Sequence, residues 1–288
     1  EILIGLVGSE MCIRDRWCWF SRGIGGKTAL DYLIKVKEIP FTEAVERIVG
    51  RAAERPSVFH ARAQPEKPKT LLLPPKSNSN TRVIAYLKSR GIDGGLIEQC
   101  IRSGQLYESL PYHNAVFVGM DRNGTPRYAC LRGIGTDFKG EATGSDKRFS
   151  FALPATGESR MLCVFESAID LLSYATMAQA GGLSWRSQHL LSLAGVYKPQ
   201  KETQEHRLPL ALTQYLKDHA EIKTICLCLD NDMTGRSATE AIRQQLAERY
   251  EVASAFPRQG KDYNDWLCIR MGLKPAKENP MTERSSAR

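Results

Sequence analysis

The chain has 288 residues, and its 40 Lys and Arg against 32 Asp and Glu give a formal net charge of +8. This length allows about two domains of roughly 100–200 residues, and the 25% charged and 42% apolar residues exclude wholesale disorder and a collagen-like chain. No apolar run approaches the ~20 residues that a membrane-spanning helix needs, so no membrane partner is expected.

The basic balance permits a polyanionic partner such as nucleic acid, although the excess charge is spread along the chain. Eight cysteines are too few for a disulfide scaffold, and the sequence has no Cys-x-x-Cys pair and no zinc-type His spacing. Cys163, Cys226 and Cys228 lie in apolar runs, where a reduced thiol packs as a small hydrophobe. These features predict a cytoplasmic protein in which a zinc ion is not expected.

The amino-terminal region divides into two segments. Residues 1–16 resemble translated sequencing-adaptor sequence and are expected to be non-native. Residues 17–51 are predicted to form a small unit with a strand at 17–20, a glycine turn at 23–26 and helices at 28–36 and 43–49.

Residues 23–28 also suggest a phosphate-binding P-loop, because a strand precedes them and a helix follows. The first glycine of that motif would fall on Ser21, which argues against it. The apolar strand that ends in Asp230 would then be the Walker B partner, so a P-loop ATPase remains an alternative.

Residues 52–80 are rich in Pro, Lys, Ser and Asn and are predicted to be a partly extended linker. A small α+β unit is predicted at 81–155, with helices at 82–90 and 96–103. The Asn-Gly pair at 123–124 predicts a hairpin between its strands.

Strands and helices alternate across residues 156–272. Apolar strands at 161–166, 189–193, 224–230 and 252–256 precede helices at 169–180, 208–218, 237–250 and 262–271. Near-continuous apolar strands between helices predict an α/β fold with a parallel sheet covered on both faces. Residues 273–288 are polar and are expected to be a flexible tail.

Three carboxylates lie at the carboxyl ends of strands of this predicted sheet. Glu166 closes the first strand, and Asp230 and Asp232 close the third. The carboxyl ends of parallel strands share one edge, where ligands bind, and residues i and i+2 of a strand face the same side. Each residue alone has a structural explanation, such as Asp232 capping the next helix. Together they predict a site for Mg²⁺, which prefers oxygen ligands and stabilises phosphate displacement.

These residues carry a family resemblance. Residues 165–170 resemble the first Toprim motif, a Glu at a strand end with an Asp four residues on, and residues 229–236 resemble the second, Asp-x-Asp followed by Gly-Arg. Residues 261–266 are similar to the Lys-Asp-x-Asn-Asp segment that often closes the Toprim domains of primases. One departure is Ser167, which stands where the family usually has Gly and is expected to tighten the turn slightly.

The resemblance implies a Rossmann-like Toprim domain in which Glu166, Asp230 and Asp232 are catalytic metal ligands for Mg²⁺ or Mn²⁺. Asp170 is implied as a further catalytic acid of the first motif. Four further residues of the motifs are implied as supporting the site: Gly235, Asp262, Asn264 and Asp265.

The resemblance extends toward the amino terminus. Residues 115–133 and 144–149 resemble the region before Toprim in the cores of DnaG-type primases. Residues 19–49 resemble the tail of the zinc-binding domain of these primases, but Cys18 is followed at the Cys-x-x-Cys spacing by Ser21, so the zinc ligands are lacking. The whole chain most resembles the Toprim-bearing, primase-like proteins of bacterial plasmids and conjugative elements.

Six basic residues are predicted to hold nucleic acid or nucleotide near the acidic site: Arg132, Lys139, Lys147, Arg148, Arg236 and Lys261. Basic side chains contact phosphates, and phenylalanines interleaved with them stack on bases. A solvated loop or a surface salt bridge would equally account for any single one. His113 and His189 are isolated in the sequence and are expected to be structural or surface residues.

The leading hypothesis is a metal-dependent primase-like nucleotidyltransferase that synthesises primers on single-stranded DNA. Its expected partners are single-stranded DNA, nucleotides and a separate helicase or mobile-element replication protein. The alternatives are a Toprim-type nuclease, which uses the same fold, and a non-catalytic DNA-binding accessory protein.

Overall fold

The computed structural model describes residues 10–12, 17–19, 24–26, 28–53, 70–195 and 208–273. The chain divides into two compact units, Glu1–Glu66 and Lys67–Arg288. The predicted tail, apart from its first residue, lies outside the described residues.

The described residues of the first unit form a three-stranded antiparallel sheet and two helices. The strands, in spatial order, are β1 (Glu10–Cys12), β2 (Trp17–Trp19) and β3 (Ile24–Gly26), and the helices are α1 (Ala29–Lys35) and α2 (Phe41–Ala53). Thr28 starts α1 with a capping box, because its side chain accepts from the Asp31 amide and Asp31 accepts from the Thr28 amide.

This unit differs from expectation at two points. Residues 10–12, inside the segment expected to be non-native, pair with β2, and residues 24–26 of the predicted glycine turn form β3. The P-loop lysine, Lys27, lies outside the described residues. A strand over residues 24–26 leaves no open glycine loop there to surround a phosphate.

The second unit begins with helices and an antiparallel sheet. The helices are α3 (Thr81–Ser89) and α4 (Gly94–Arg102), and the strands, in spatial order, are β4 (Leu106–Glu108), β5 (Ala115–Met120), β6 (Pro126–Arg132) and β7 (Lys139–Glu141). Asp121 accepts from the amides of Asn123 and Thr125, which fixes the predicted turn between β5 and β6.

Residues 70–80, the end of the predicted linker, belong to this unit. Leu72 donates its amide to the Thr143 carbonyl, Leu110 donates to the Pro75 carbonyl and Ser77 donates to the Glu108 carbonyl. The prolines keep this segment extended, and the extended chain pairs with the antiparallel sheet instead of running free. The predicted boundary at residue 80 therefore does not match the structure.

Residues 152–195 and 208–270 form a five-stranded sheet with helices on both faces. In chain order the elements are β8 (Ala152–Leu153), β9 (Met161–Phe165), α5 (Ala168–Ala180), β10 (His189–Ser192), α6 (Leu210–Asp218), β11 (Thr224–Cys228), α7 (Met233–Leu246), β12 (Glu251–Ser254) and α8 (Tyr263–Arg270). The spatial order is β12-β11-β9-β10-β8, and the strands are parallel except for β8. The predicted α/β architecture is confirmed.

The strands alternate their side chains between two hydrophobic cores. Cys163 and Phe165 of β9 point to a core that includes α5 and α8, whereas Leu162 and Val164 point to a core with α6 and α7. The first core continues through Phe117 and into α3 and α4. The helices α3 and α4 and the strands β4 to β7 are called the antiparallel unit below. This antiparallel unit and the parallel sheet therefore share one hydrophobic core.

A search of the described helices finds none that is both long and apolar enough to cross a bilayer.

Candidate metal and nucleic-acid site

The predicted acidic residues meet at the carboxyl edge of the parallel sheet. Strands β9 and β11 pair in parallel, with Phe165 opposite Cys228. Glu166 directly follows β9, and Asp230 lies two residues beyond β11. Their adjacency therefore follows from the register of two neighbouring strands.

Burial and like charge oppose ionisation of these acids. The pKa of Glu166 is raised to about 7, mainly by burial and then by the negative charges of Asp170 and Asp232. Burial and the charge of Glu166 raise the pKa of Asp230 to about 7, and burial together with Asp262 raises that of Asp170 to about 7. At neutral pH the three acids therefore carry less than their full negative charge.

Asp232 behaves differently because it also caps a helix. Its Oδ1 accepts from the Gly235 amide at 2.8 Å, and it is the N-cap of α7. Burial opposes ionisation, but hydrogen bonds from Gly235 and Lys261 prevail and lower the pKa of Asp232. The cap also explains why α7 begins at Met233, four residues before the predicted start.

Lys261 provides a positive charge inside the acidic site. Its Nζ lies 3.2 Å from Asp232 Oδ2 and 3.6 Å from Asp230 Oδ2. The Asn231 amide donates to the Lys261 carbonyl at 2.7 Å, which ties this lysine to the loop after β11. Lys261 thus neutralises part of the charge that the two aspartates bring together.

The three predicted ligands do not form a closed cluster. A search of the described residues for three ligand atoms within 4.8 Å of one another does not find Glu166, Asp230 and Asp232 as such a group. Lys261 contacts two of them instead. The site is an acidic edge that has an internal cation, and metal binding there requires the carboxylates to move closer together.

Gly235 allows the loop after β11 to fold tightly. A Cβ atom at this position would lie 2.2 Å from the Asp230 carbonyl oxygen, a distance that no side chain tolerates. The Gly after the Asp-x-Asp pair is therefore required by the close approach of α7 to the Asp230 backbone.

A hydrogen-bond network supports the first motif. Ser167 is the N-cap of α5, and its hydroxyl donates to Asp170 Oδ2 at 2.5 Å. The backbone amide of Asn264 donates to Asp170 Oδ1 at 3.3 Å, and Asn264 itself is 1% exposed. Ser167 has φ −129°, an extended conformation, so it acts as a helix cap, and the absence of Gly does not strain the turn.

The closing segment is a second capped turn. Asp262 is the N-cap of α8 and accepts from the Asp265 amide at 2.7 Å. Asp265 accepts in turn from the Lys261 amide at 3.1 Å. These contacts fix the backbone of Lys261 beside the aspartates.

Sequence reasoning missed the partner of this network in α3. The side chain of Arg90, the C-cap of α3, donates to Asn264 Oδ1 at 2.8 Å, and Asn264 Nδ2 donates to the Arg90 carbonyl at 2.9 Å. Residues 174 positions apart in the sequence meet here. No local pattern signals such a pair.

One of the predicted basic residues, Lys139, lies in the electrostatic field of the site, and Arg132 lies beside it. Arg132 of β6 and Lys139 of β7 are register partners. The pKa of Lys139 is lowered, first by the charge of Arg132 and then by burial and the charge of Lys261. The negative charge of Asp230 opposes this shift. Lys139 therefore lies close enough to both Lys261 and Asp230 to sense their charges.

The other predicted basic residues already have partners. Lys147 pairs with Glu141 at 3.0 Å, and Arg148 pairs with Asp146 at 2.5 Å. Arg236 donates to Asn231 Oδ1 and lies over the Phe256 ring, 4.8 Å from its centroid. These three side chains meet protein groups where nucleic acid was expected.

Two other groups of metal-ligating side chains were not predicted. Cys163, Cys226 and Cys228 have sulfur atoms within 4.8 Å of one another, because β9 and β11 place Cys163 opposite Cys226. All three are free thiols and pack in the first core, as small hydrophobes would. The second group, around His189, lies at the opposite edge of the sheet.

Two family models match this chain. Residues 163–267 match the family described as Toprim-like, and these residues include the whole acidic edge. The chain carries a Toprim-like domain. Residues 85–157 match a family described as a protein of unknown function, DUF3991, which covers most of the antiparallel unit. The predicted Toprim resemblance is confirmed.

Two curated relatives are similar over much of the chain. An uncharacterized protein of Bacillus anthracis is 25% identical over 252 residues, which are 83% of this chain and 68% of the relative. A protein of Zymomonas mobilis subsp. mobilis described as a 65 kDa protein is 26% identical over 212 residues, which are 69% of this chain and 33% of that protein. This chain thus spans about two thirds of one relative and a third of the other.

Solved structures that match this chain include a primase fragment and a primase catalytic domain. The primase fragment of the bacteriophage T7 primase-helicase protein has a TM-score of 0.45 at 20% identity, covering 75% of this chain and 83% of that one. A DnaG primase catalytic domain bound to ssDNA has a TM-score of 0.43 at 15% identity, covering 67% and 68%. The Toprim-like match and the order of the parallel strands define the fold of this domain.

Proposed function

We propose that this chain is a metal-dependent nucleic-acid enzyme, a primase-like nucleotidyltransferase that synthesises primers on single-stranded DNA. The observation that carries the proposal is the acidic edge of the Toprim-like domain. Glu166 and Asp230 follow adjacent parallel strands, and both have pKa values raised to about 7. Two carboxylates that disfavour each other's charge are stabilised together by a bound cation.

The donor set fits a hard divalent cation. Carboxylate oxygens are the ligands that Mg²⁺ and Mn²⁺ prefer, and Glu166, Asp230 and Asp232 would hold such an ion. When bound, the ion supplies charge neutralisation at phosphate oxygens and lowers the pKa of an attacking hydroxyl group.

The chain's own residues organise the chemistry around the ion. Lys261, which now contacts both aspartates, would move its charged ammonium group to a phosphate oxygen once the aspartates bind the cation. Asp232 is held in place by the Gly235 amide, and Asp170 holds the turn after β9 through Ser167. Asp170 would therefore position Glu166.

Arg132 and Lys139 would hold the phosphates of template or nucleotide. They lie side by side on β6 and β7, and the charges of Lys261 and Asp230 both reach Lys139. Basic side chains at such positions bind phosphates without reading sequence. Three more basic residues would join only by exchanging their present partners for phosphate: Lys147, Arg148 and Arg236.

The proposal implies single-stranded DNA and nucleotides as partners in the cytoplasm. It also implies a separate helicase or another replication protein of a mobile element, because primer synthesis does not itself open duplex DNA.

The test is a primer-synthesis assay with the full chain. Single-stranded circular DNA, labelled nucleotides and Mg²⁺ or Mn²⁺ are incubated with the parent chain and with a variant carrying Asp230→Asn and Asp232→Asn. The matched control is Glu240→Gln, which neutralises an exposed carboxylate on α7 outside the acidic edge.

Short labelled products from the parent and the Glu240→Gln variant, but not from the double variant, support the proposal. Nicked circles without synthesis, lost in the double variant, overturn polymerisation in favour of a Toprim-type nuclease. DNA binding by all three chains without either product overturns catalysis and favours an accessory protein.

A further inference from the structure

A group of metal-ligating side chains lies at the amino edge of the parallel sheet, opposite the acidic edge. His189 begins β10, His219 is the C-cap of α6, and Glu221 lies between α6 and β11. One ligand atom from each lies within 4.8 Å of the others. The sheet separates this group from the carboxylates at the other ends of its strands.

The ring of His189 has an unsatisfied nitrogen that points into this group. His189 is 4% exposed, and its Nε2 makes no hydrogen bond to any residue that the structure describes. A buried polar atom without a partner costs free energy, so such an atom needs an explanation. A metal ion that accepts the Nε2 lone pair supplies one.

The other ring nitrogen of His189 is held by Tyr215. His189 Nδ1 lies 3.0 Å from the Tyr215 hydroxyl. A proton on Nδ1 donated to that oxygen leaves Nε2 with a free lone pair. Outer hydrogen bonds of this kind fix the tautomer and orientation of metal-ligating histidines.

The distances within the group suit a small tetrahedral ion. His189 Nε2 lies 3.8 Å from Glu221 Oε1, and His219 Nδ1 lies 2.9 Å from the same oxygen. Metal bonds of about 2.0–2.2 Å in tetrahedral geometry separate ligand atoms by roughly 3.3–3.6 Å. The two observed distances lie on either side of this range, so small side-chain rotations complete the site.

We propose that His189, His219 and Glu221 bind a divalent transition-metal ion of the Zn²⁺ class. Two imidazoles and one carboxylate are a ligand set typical of Zn²⁺, whereas Mg²⁺ prefers oxygen ligands alone. Binding replaces the hydrogen bond between His219 and Glu221, and the displaced proton passes to solvent.

The site is reachable from solvent. The side chains of His219 and Glu221 are 19% and 47% exposed, so an ion enters from solvent and keeps a water molecule as its fourth ligand. The bound ion would tie the end of α6 and the turn before β11 to the first residue of β10. Its role would be to stabilise this edge of the sheet, independently of the acidic edge.

The test uses Co²⁺ as a spectroscopic probe of the full chain in excess Mg²⁺, which occupies oxygen-rich sites. One Co²⁺ per chain is expected, with visible ligand-field bands of a four- or five-coordinate ion and no thiolate-to-metal charge-transfer band. Zn²⁺ is expected to displace the Co²⁺ and to raise the midpoint of thermal unfolding.

Four variants distinguish this site from the others. Glu221→Gln and His219→Gln are expected to weaken binding by at least about tenfold. Glu240→Gln removes a carboxylate that is as exposed as that of Glu221. Cys226→Ser removes one of the three neighbouring thiols. Neither variant is expected to change Co²⁺ binding. The two site variants change partly exposed side chains, so their folding is checked by circular dichroism.

Three results overturn the proposal. One is Co²⁺ binding that is unchanged in folded Glu221→Gln and His219→Gln chains. Another is a charge-transfer band that disappears in Cys226→Ser, which assigns the ion to the thiols. The third is the absence of any Co²⁺ or Zn²⁺ binding in excess Mg²⁺.

Discussion

Asn264 and Arg90 are joined by two hydrogen bonds, one between their side chains and one from the Asn264 side chain to the Arg90 backbone. The Arg90 guanidinium donates to the Asn264 side-chain carbonyl, and the Asn264 side-chain amide donates to the Arg90 backbone carbonyl. Asn264 Nδ2 also lies 2.9 Å from Ser173 Oγ. One buried amide therefore joins α3, α5 and α8.

Asn264→Ala is expected to lower the free energy of unfolding by about 2–4 kcal/mol, because it removes three hydrogen bonds of a buried amide and leaves Arg90 Nε without its acceptor. Urea unfolding followed by circular dichroism measures this. Gln245→Ala on the exposed face of α7 is the control and should cost under about 0.5 kcal/mol. A cycle with Arg90→Ala should show coupling of about 1 kcal/mol, and additive effects would contradict the pairing.

Gly235→Ala is expected to disturb the acidic edge. The added methyl group would collide with the Asp230 carbonyl, so the loop must move, at a cost of about 1–3 kcal/mol or more. Mg²⁺ affinity, measured by calorimetry, should fall with it. Gly181→Ala, at a position with φ −86° and ordinary contact distances, serves as the control. Unchanged Mg²⁺ affinity in Gly235→Ala would show that the loop geometry does not matter.

The metal-free protein is expected to lose stability as pH rises from about 5 to 8. Folding raises the pKa of Glu166, Asp170 and Asp230 to about 7, so the folded chain binds protons in this range that the unfolded chain has released. Thermal unfolding in a chelator measures the slope, and Mg²⁺ should flatten it above about pH 7. Asp170→Asn removes one of the three groups and should reduce the slope. A midpoint that rises with pH in the chelator would contradict the assignment.

Lys261→Gln is expected to separate metal affinity from turnover. Removing a positive charge within 4 Å of two aspartates favours a bound cation by about 1–4 kcal/mol, so Mg²⁺ should bind at least about fivefold more tightly. Nucleotide incorporation should fall, because the variant lacks the ammonium group proposed to bind a phosphate. Lys261→Arg keeps the charge and should restore part of the activity. Weaker Mg²⁺ binding in Lys261→Gln would mean that this lysine organises the ligands.

Arg132→Gln combined with Lys139→Gln is expected to weaken single-stranded DNA binding and its salt dependence. The slope of log affinity against log salt should fall by about 0.7 for each phosphate that the variant no longer neutralises. Arg127→Gln, on the same strand β6 but paired with Asp121 at 2.8 Å, is the matched control. Equal effects of the two changes would remove Arg132 and Lys139 from the proposed interface.

The sequence predicted the parts of the fold that depend on local patterns. Apolar strands between helices predicted the parallel sheet, and carboxylates after two of its strands predicted the acidic edge around Glu166 and Asp230. The antiparallel strand β8 has two residues, too few for any periodicity, so its pairing with β10 was not predictable.

Other features depend on contacts between distant residues. The Arg90–Asn264 pair and the His189–Glu221 approach join residues that only the folded chain brings together. His189 was expected to be structural or at the surface because its neighbours in sequence offer no ligand. The extended segment 70–80 has the composition of a linker, and only its hydrogen bonds to the rest of the folded unit show that it is part of that unit.

The continuous core beneath the acidic edge has an evolutionary consequence. The rings of Phe117 and Phe151 meet edge to face at 5.6 Å, and both belong to the same core as Phe165 and Leu171 of the Toprim-like domain. A recombination event that replaced either family-matched region alone would expose part of this core to water. The two regions should therefore be inherited as a single module, with compensating substitutions on the two sides of their shared interior.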